Sequence, residues 1–217
     1  MHSKTATVAE EEESLQSFIA LPPAQENAAV HSIWKTSALF TLVTVVLLGI
    51  GYPLAVTGIA AVLFPHKAEG SLILKDGKII GSELLAQSFT SDRYFHPRPS
   101  AAGNGYDATA SGGTNLAQSN AKLVQRIQSD IDKLQELNPG KPVPIDMVTT
   151  SASGLDPDIT PDNARYQAPR VARARNLSED QVRELIAQHT AGRGLGFLGE
   201  PRVNVLALNL ALYQYSK

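Results

Sequence analysis

Three glycines near the C-terminus, Gly194, Gly196 and Gly199, have the spacing of a dinucleotide-binding fingerprint. In that fingerprint a strand leads through the glycines into a helix, and the helix N-terminus holds the pyrophosphate. Here the glycines follow a predicted helix and precede Glu200 and Pro201, so the required context is missing. They therefore predict a loop that ends a helix rather than a nucleotide site.

A second glycine-rich segment, Gly112, Gly113 and Thr114, precedes a predicted helix that begins near Asn115. Free backbone N–H groups at a helix N-terminus can receive an anion or a phosphate. No Gly-Lys-Ser or Gly-Lys-Thr sequence is present, so the lysine of a P-loop is missing. Capping and turn chemistry is the favoured interpretation, and these three residues are the candidates for cofactor binding.

Four arginines, Arg165, Arg170, Arg173 and Arg175, form the basic cluster of the sequence. Such clusters are commonly solvated or salt-bridged. Close to a membrane they can also contact lipid headgroups or an acidic partner. Arg170 and Arg173 are therefore predicted as candidate partner contacts.

Other catalytic patterns are missing from the sequence. The five histidines lack a spacing that would bring two imidazoles to one metal ion. No Gly-x-Ser-x-Gly elbow presents a serine nucleophile. The sequence therefore predicts no metal site, no catalytic residue and no cofactor bound by this chain.

One apolar segment determines the class of protein. Residues 36–65 contain no charged side chain, and about 20 such residues suffice to cross a bilayer core. Trp34 and Lys67 flank the segment, and residues of these types favour the membrane interface. We predict one transmembrane helix at residues 36–64, with the lipid bilayer as its first partner.

The flanking segments differ from this helix in composition. Residues 1–33 are acidic, with glutamate at every position from 10 to 13, and they predict a disordered tail. A long acidic leader also argues against a cleaved signal peptide. Residues 66–217 are long enough for one domain with its own core. Their charges nearly cancel, so no nucleic-acid partner is expected.

Small residues inside the predicted span indicate helix packing. Gly49, Gly51, Pro53, Ala55 and Gly58 lie within it. Small residues allow a second helix to approach closely, and proline leaves a carbonyl group that a neighbour can satisfy. Glycine and proline are also ordinarily frequent in membrane helices. We nevertheless predict these five residues as a candidate interface with a larger membrane partner.

Local patterns predict the elements of the soluble domain. Asp76 and Gly77 between two apolar runs predict a β-hairpin. Apolar periodicity predicts a helix over residues 115–137. Ser178 and Gln181 form a capping box for a further helix that ends at Gly192.

The remaining patterns concern a third helix, an ambiguous segment and a long loop. Thr160 predicts the start of a helix that Pro169 kinks or splits. Residues 203–212 fit both a strand and a helix, and helix is favoured. Residues 90–114 are dense in Gly, Pro, Ser and Asn and predict a long loop, which is often functional. The fold class is α/β (α+β): one N-terminal transmembrane helix followed by one compact mixed helix/strand soluble domain.

Several longer blocks carry a family resemblance. They lie at residues 51–54, 70–73, 87–90, 94–101, 110–117, 148–156, 169–177 and 203–212. Together they closely resemble the C subunit of the bacterial high-affinity potassium-transporting P-type ATPase, the Kdp complex. The sequence departs from the family pattern in its longer acidic N-terminal extension and at Ala207, where relatives usually carry a carboxylate.

The resemblance implies a non-catalytic accessory or assembly subunit of an ATP-driven potassium importer. The implied partners are a potassium-channel-like subunit and a P-type ATPase subunit, and the complex uses ATP and Mg²⁺. Relatives are also described as raising the ATP affinity of the ATPase subunit. The implied location is the bacterial inner membrane, with a cytoplasmic N-terminus and an extracytoplasmic domain. The alternative is a membrane-anchored periplasmic binding or sensor module.

The number of positive charges near the span favours the opposite orientation. Lys67, Lys75 and Lys78 follow the span, whereas Lys35 alone lies close before it. The positive-inside rule would then place the domain in the cytoplasm, but the rule is weak for long flanking domains. The extracytoplasmic location therefore depends on the resemblance.

Overall fold

The computed structural model of the protein describes residues 23–75 and 77–215. The chain divides into two compact units at the boundary between Pro65 and His66. Most of the predicted disordered tail lies outside the described residues. Its last part, from Pro23 to residue 33, is helical, which corrects the predicted end of the tail. Proline is favoured in the first turn of a helix, and good helix formers follow it.

The first unit is one long helix in three segments: α1 (Pro23–Thr44), a π-helical segment (Val45–Gly51) and α2 (Tyr52–Leu63). Within it, Ser32–Leu63 is long and apolar enough to cross a membrane. The structure therefore confirms the predicted N-terminal apolar helix.

The second unit begins with short elements. Helix α3 (Pro65–Ala68) precedes strands β1 (Leu72–Lys75) and β2 (Lys78–Ser82). The two strands pair in antiparallel fashion. Gly77 has a φ of +73°, which glycine adopts without steric cost. The predicted hairpin is confirmed.

Three short strands form a second sheet, and four longer α-helices belong to the same unit. The strands are β3 (Asp158–Ile159), β4 (Thr190–Ala191) and β5 (Arg202–Asn204), in the order β3-β5-β4 with antiparallel pairing. The helices are α4 (Ala121–Leu137), α5 (Pro161–Arg175), α6 (Glu179–Gln188) and α7 (Val205–Tyr215).

The hydrophobic core lies among α5, α6, α7 and this sheet. Its fully buried side chains include Phe95, Ile186, Leu208 and Leu212. Phe95 differs from the other three because it does not lie on a helix. It comes from the long segment between the hairpin and α4. That segment contributes to the core although residues 83–120 contain no helix or strand.

Two side-chain amides hold the long segment in place. Asn209 on α7 accepts the N–H of Phe95 at 2.8 Å and donates to its carbonyl oxygen at 2.9 Å. Gln167 on α5 does the same for His96, at 2.8 and 3.0 Å. Each amide pairs with the backbone as a neighbouring strand would, so buried backbone groups are satisfied without a sheet. We call these two contacts the amide clamps.

The structure corrects several predicted helix boundaries. α4 begins at Ala121 rather than near Asn115, because Asn120 has an extended backbone conformation and its side chain caps the helix by accepting the N–H of Lys122 at 2.9 Å. α6 ends at Gln188 rather than at Gly192, because β4 follows directly.

The remaining predictions concern helix starts and Pro169. Thr160 and Ser178 cap α5 and α6 as predicted. The favoured helix at residues 203–212 is confirmed from Val205 onward, although β5 immediately precedes it. Pro169 does not split α5 and is buried within it. Packing of the residues around Pro169 in the core offsets the one backbone hydrogen bond that proline removes.

Candidate partner interface

The predicted anion site at Gly112, Gly113 and Thr114 does not lie at a helix N-terminus. α4 begins several residues later and is capped by Asn120. The glycines instead belong to a segment without helix or strand that leads to the left-handed Asn115. The geometry on which the cofactor prediction depended is therefore absent from this part of the structure.

The same glycines pack against residues 151–154. The N–H of Gly112 donates to the carbonyl oxygen of Ser153 at 2.9 Å. A Cβ atom on Gly113 would lie 3.2 Å from the carbonyl oxygen of Ala152, closer than most side chains approach. Close backbone packing therefore explains the glycine at position 113, and the hydrogen bond to Ser153 uses the Gly112 donor inside the domain.

The arginine cluster does not form one exposed patch, because its members point to different surroundings. Arg165 is exposed and lies 2.7 Å from the carboxylate of Asp162. Arg173 is also exposed, and its Nε donates to the carbonyl oxygen of Pro169 at 3.2 Å. Both side chains are accessible, and Arg173 stays a predicted partner contact.

Arg170 is held inside the domain. Its side chain is 11% exposed and lies 3.5 Å from the Asp92 carboxylate. It also donates to the carbonyl oxygen of Tyr94 at 3.0 Å and to Oε1 of Gln167 at 2.8 Å. These bonds tie α5 to the long segment. They explain Arg170 by internal structure, while its predicted contact with a partner stays a prediction.

Arg175 is buried as well and stabilises the same region. Its guanidinium group donates to the carbonyl oxygens of Arg93 and Leu212. It also lies over the ring of Tyr94, 4.9 Å from the ring centre. Arg175 therefore links α5, α7 and the long segment.

His96 lies beside Arg170 on the wall of a cavity of about 400 Å³. Burial lowers the pKa of His96, and the charge of Arg170 lowers it further. The Ser91 carbonyl oxygen and the Asp92 charge oppose these effects. Burial of an imidazole next to a cation favours its neutral form, which suits a structural position.

Two of the polar side chains that line the cavity are bonded to each other. Its polar lining includes Asn163 and Gln167, which hydrogen bond to each other at 2.7 Å. Among residues 23–75 and 77–215, no group of three or more His, Cys, Asp or Glu side chains is placed to hold a metal ion.

The membrane helix presents its small residues on two faces. Residues two positions apart in a helix point roughly 200° away from each other, whereas residues three or four positions apart lie on the same side. Gly51, Ala55 and Gly58 therefore share one face, and Gly49 and Pro53 lie on the other. All five residues are exposed in the isolated chain. We call Gly51, Ala55 and Gly58 the small-residue face.

Larger side chains at the small-residue face would meet little within the helix itself. A Cβ atom at Gly51 would approach only the carbonyl oxygen of Val46, at 3.4 Å, and one at Gly58 would meet nothing within 4 Å. The π-helical segment that ends at Gly51 also precedes Pro53. Such segments are rare and often occur at functional positions. An effect of substitution here would therefore report on a neighbouring helix.

One exposed feature was not predicted from the sequence. Leu195, Phe197 and Leu198 lie in the loop between β4 and β5 and are largely exposed. The sequence does indicate this exposed apolar loop, because large apolar residues alternate with glycine there, whereas most loops are polar. A dinucleotide fingerprint is defined by its glycines alone, so that pattern does not distinguish the side chains between them.

The long apolar helix and the mixed domain after it indicate a membrane-anchored protein, with one candidate span among residues 23–75 and 77–215. The chain belongs to the KdpC family, described as the c chain of the K⁺-transporting ATPase, whose family model matches residues 34–214. It is thus an accessory subunit of a potassium import complex. This confirms the family resemblance of the sequence.

Curated relatives agree with this family over most of their length. The Koribacter versatilis protein is 60% identical over 177 residues, which cover 82% of this chain and 92% of the relative. The Acidobacterium capsulatum protein is 55% identical over 180 residues, covering 83% and 97%. The Bradyrhizobium diazoefficiens protein is 53% identical over 190 residues, covering 82% and 94%. Each is named a potassium-transporting ATPase KdpC subunit.

Proposed function

We propose that this chain is non-catalytic and stabilises a complex of a potassium-channel-like subunit and a P-type ATPase subunit. The family match over residues 34–214 carries this proposal. The exposed small-residue face supports it, because small residues allow close packing of membrane helices. In the proposed complex the span contacts the membrane part of a larger subunit.

Gly51→Leu tests whether the small-residue face contacts a partner. The leucine side chain should push the neighbouring helix away and weaken the complex by about 1 to 2 kcal/mol, the scale of membrane helix contacts. Recovery of the other subunits with the tagged chain in detergent is the measurement. Gly49→Leu, on the opposite face, is the matched control and should have the smaller effect. Unchanged recovery with Gly51→Leu would indicate that this face meets only lipid.

We further propose that the N-terminus is cytoplasmic and that the domain from His66 onward is extracytoplasmic. Family membership supports this orientation, against the number of lysines near the span. A reporter that is active only in the cytoplasm, fused after Lys217, should be silent. The same reporter fused before Met1 is the control and should be active. The reverse pattern would contradict the orientation.

A third part of the proposal concerns nucleotide. Any increase in ATP affinity should require the ATPase subunit, and this chain alone should neither hydrolyse nor tightly bind ATP. Two observations support this. The Gly112 N–H is already bonded to Ser153, and the Arg170 guanidinium is bonded to four acceptors on three residues of the domain. Triphosphate binding needs several donors and charges that converge with a metal ion.

Titration calorimetry of the full chain with Mg-ATP checks this prediction. Even millimolar affinity corresponds to about 4 kcal/mol of binding free energy, and groups already bonded within the domain do not provide it. We expect no saturable heat. Saturable binding at micromolar concentration would contradict the prediction and would assign this chain a direct nucleotide role.

A further inference from the structure

The loop between β4 and β5 presents three large apolar side chains to solvent. Leu195 is 84% exposed, Phe197 71% and Leu198 54%. We call these three residues the apolar tip. Neighbouring exposed side chains of this size form an apolar patch, and such patches on folded domains mark sites of interaction.

Backbone hydrogen bonds hold the apolar tip in one conformation. Gly194 and Leu198 exchange two N–H to carbonyl bonds, each 2.8 Å long. The N–H of Gly196 donates to the carbonyl oxygen of Arg193 at 3.2 Å, and the N–H of Phe197 donates to that of Gly194 at 3.2 Å. The loop is therefore preorganised, so its backbone loses little conformational freedom when the apolar side chains bind a partner.

Leu195 adopts an unfavourable backbone conformation. Its φ is +52°, a left-handed value that a leucine rarely takes. Glycine would fit this position without cost, as it does at Gly196 and Gly199, where φ is +83° and +76°. Strained residues of this kind concentrate at functional sites. At this position the strain belongs to the most exposed side chain of the apolar tip.

The charged residues at the base of the loop favour a protein partner over a lipid surface. Arg193 lies 2.7 Å from the carboxylate of Glu200, and Arg202 lies 3.0 Å from that of Asp158. Attachment to anionic lipid uses unpaired cations beside the apolar residues. The two cations at this loop are already paired with carboxylates. A neutral base and a rigid apolar tip fit a shaped apolar pocket in a protein.

We propose that Leu195, Phe197 and Leu198 insert into an apolar pocket on another protein subunit of the potassium-transporting ATPase complex. This inference rests on the proposed assembly role and adds the element of the domain that makes the contact. Phe197 and Leu195 act as the anchors, because a few buried apolar side chains provide most of the affinity at protein interfaces. The Arg193 and Glu200 pair lies at the polar rim.

Photo-crosslinking in native membranes tests the proposal. A photoreactive amino acid replaces Phe197 in the full chain, which is expressed with all other subunits of the complex. Ile145, a 75% exposed apolar residue outside the apolar tip, is the matched control position. We expect crosslinks from position 197 to another subunit, in several-fold higher yield than from position 145. Crosslinks to lipid or to a second copy of this chain, or equal yields at the two positions, would overturn the proposal.

A second measurement uses the double variant Leu195→Ser and Phe197→Ser in the full complex. The dissociation constant between the variant and the other subunits should be roughly tenfold higher than that of the unaltered chain, the size of effect typical of interface anchors. Ile145→Ser should leave it unchanged. Equal dissociation of the double variant and the unaltered chain would overturn the proposal.

These measurements test the assembly role and the contact by the apolar tip separately. If the unaltered chain associates with no other subunit, the proposed assembly role is wrong. If the unaltered chain associates and the double variant binds equally well, only the assignment of the apolar tip is wrong. Because the three side chains lie outside the core, the thermal unfolding midpoint of the double variant should match that of the unaltered chain.

Discussion

Phe95→Ala should lower the free energy of unfolding of the domain by about 3 to 5 kcal/mol, the usual cost of truncating a buried phenylalanine. Phe95 is fully buried in the core among α5, α6, α7 and the second sheet. Its removal leaves a cavity and also weakens attachment of the long segment. Domains commonly have only about 5 to 15 kcal/mol of stability, so this loss is large.

Thermal unfolding of the full chain in detergent, followed by near-UV circular dichroism, measures this effect. The tyrosines of the domain provide the signal, since the single tryptophan, Trp34, lies in the other unit. Phe197→Ala is the matched control, because Phe197 is exposed and surface changes usually stay within about 0.5 kcal/mol. Equal losses for the two variants would contradict the place assigned to Phe95 in the core.

Asn209→Leu should cost about 3 kcal/mol, because it leaves two buried backbone groups without partners. The substitution keeps the approximate volume of the side chain and removes both hydrogen bonds to Phe95. Each unsatisfied buried group costs about 1 to 3 kcal/mol. The same amide clamp also holds the long segment on α7, so local opening should become easier.

Hydrogen exchange at the Phe95 amide, together with the unfolding midpoint, checks this prediction. Protection of that amide should fall more than protection of amides inside α6. Gln188→Leu is the control, because Gln188 is exposed and bonds only to Glu184 at 3.3 Å. Unchanged protection at Phe95 in the Asn209→Leu variant would show that the amide clamp does not stabilise the segment.

Features that depend on neighbouring residues were predictable from the sequence. The turn at Gly77 needs only a residue that tolerates positive φ, and the capping box needs only Ser178 and Gln181 three positions apart. The apolar span was predictable for the same reason, because its length and composition suffice. The fold class follows from these elements together.

Features that depend on distant residues were not predictable. Asn209 and Phe95 are 114 positions apart, and Gln167 and His96 are 71 apart. Nothing in the local pattern indicates which buried amide will satisfy which backbone group. The predicted start of α4 was wrong for a related reason. Leu116 continues the apolar periodicity of the helix, yet the helix starts only at Ala121, after the left-handed Asn115 and the cap at Asn120.

Proximity in sequence was also a poor guide to the candidate interface. Arg165, Arg170, Arg173 and Arg175 lie within three turns of α5, yet two are exposed and two are drawn into the domain. The interior of the domain contains backbone carbonyl groups that need donors, and guanidinium groups supply several donors each. In a basic cluster on a partly buried helix, some arginines therefore bond to backbone groups inside the domain and others stay exposed.

Affinity purification of the complex tests the central claim most directly. The chain, tagged at its C-terminus and expressed at its natural level, is extracted in a mild detergent, and mass spectrometry identifies the proteins that remain bound. We expect two larger membrane proteins, a potassium-channel-like subunit and a P-type ATPase subunit, in a fixed ratio to this chain. Recovery of the chain alone, or only with copies of itself, would contradict its role as an accessory subunit.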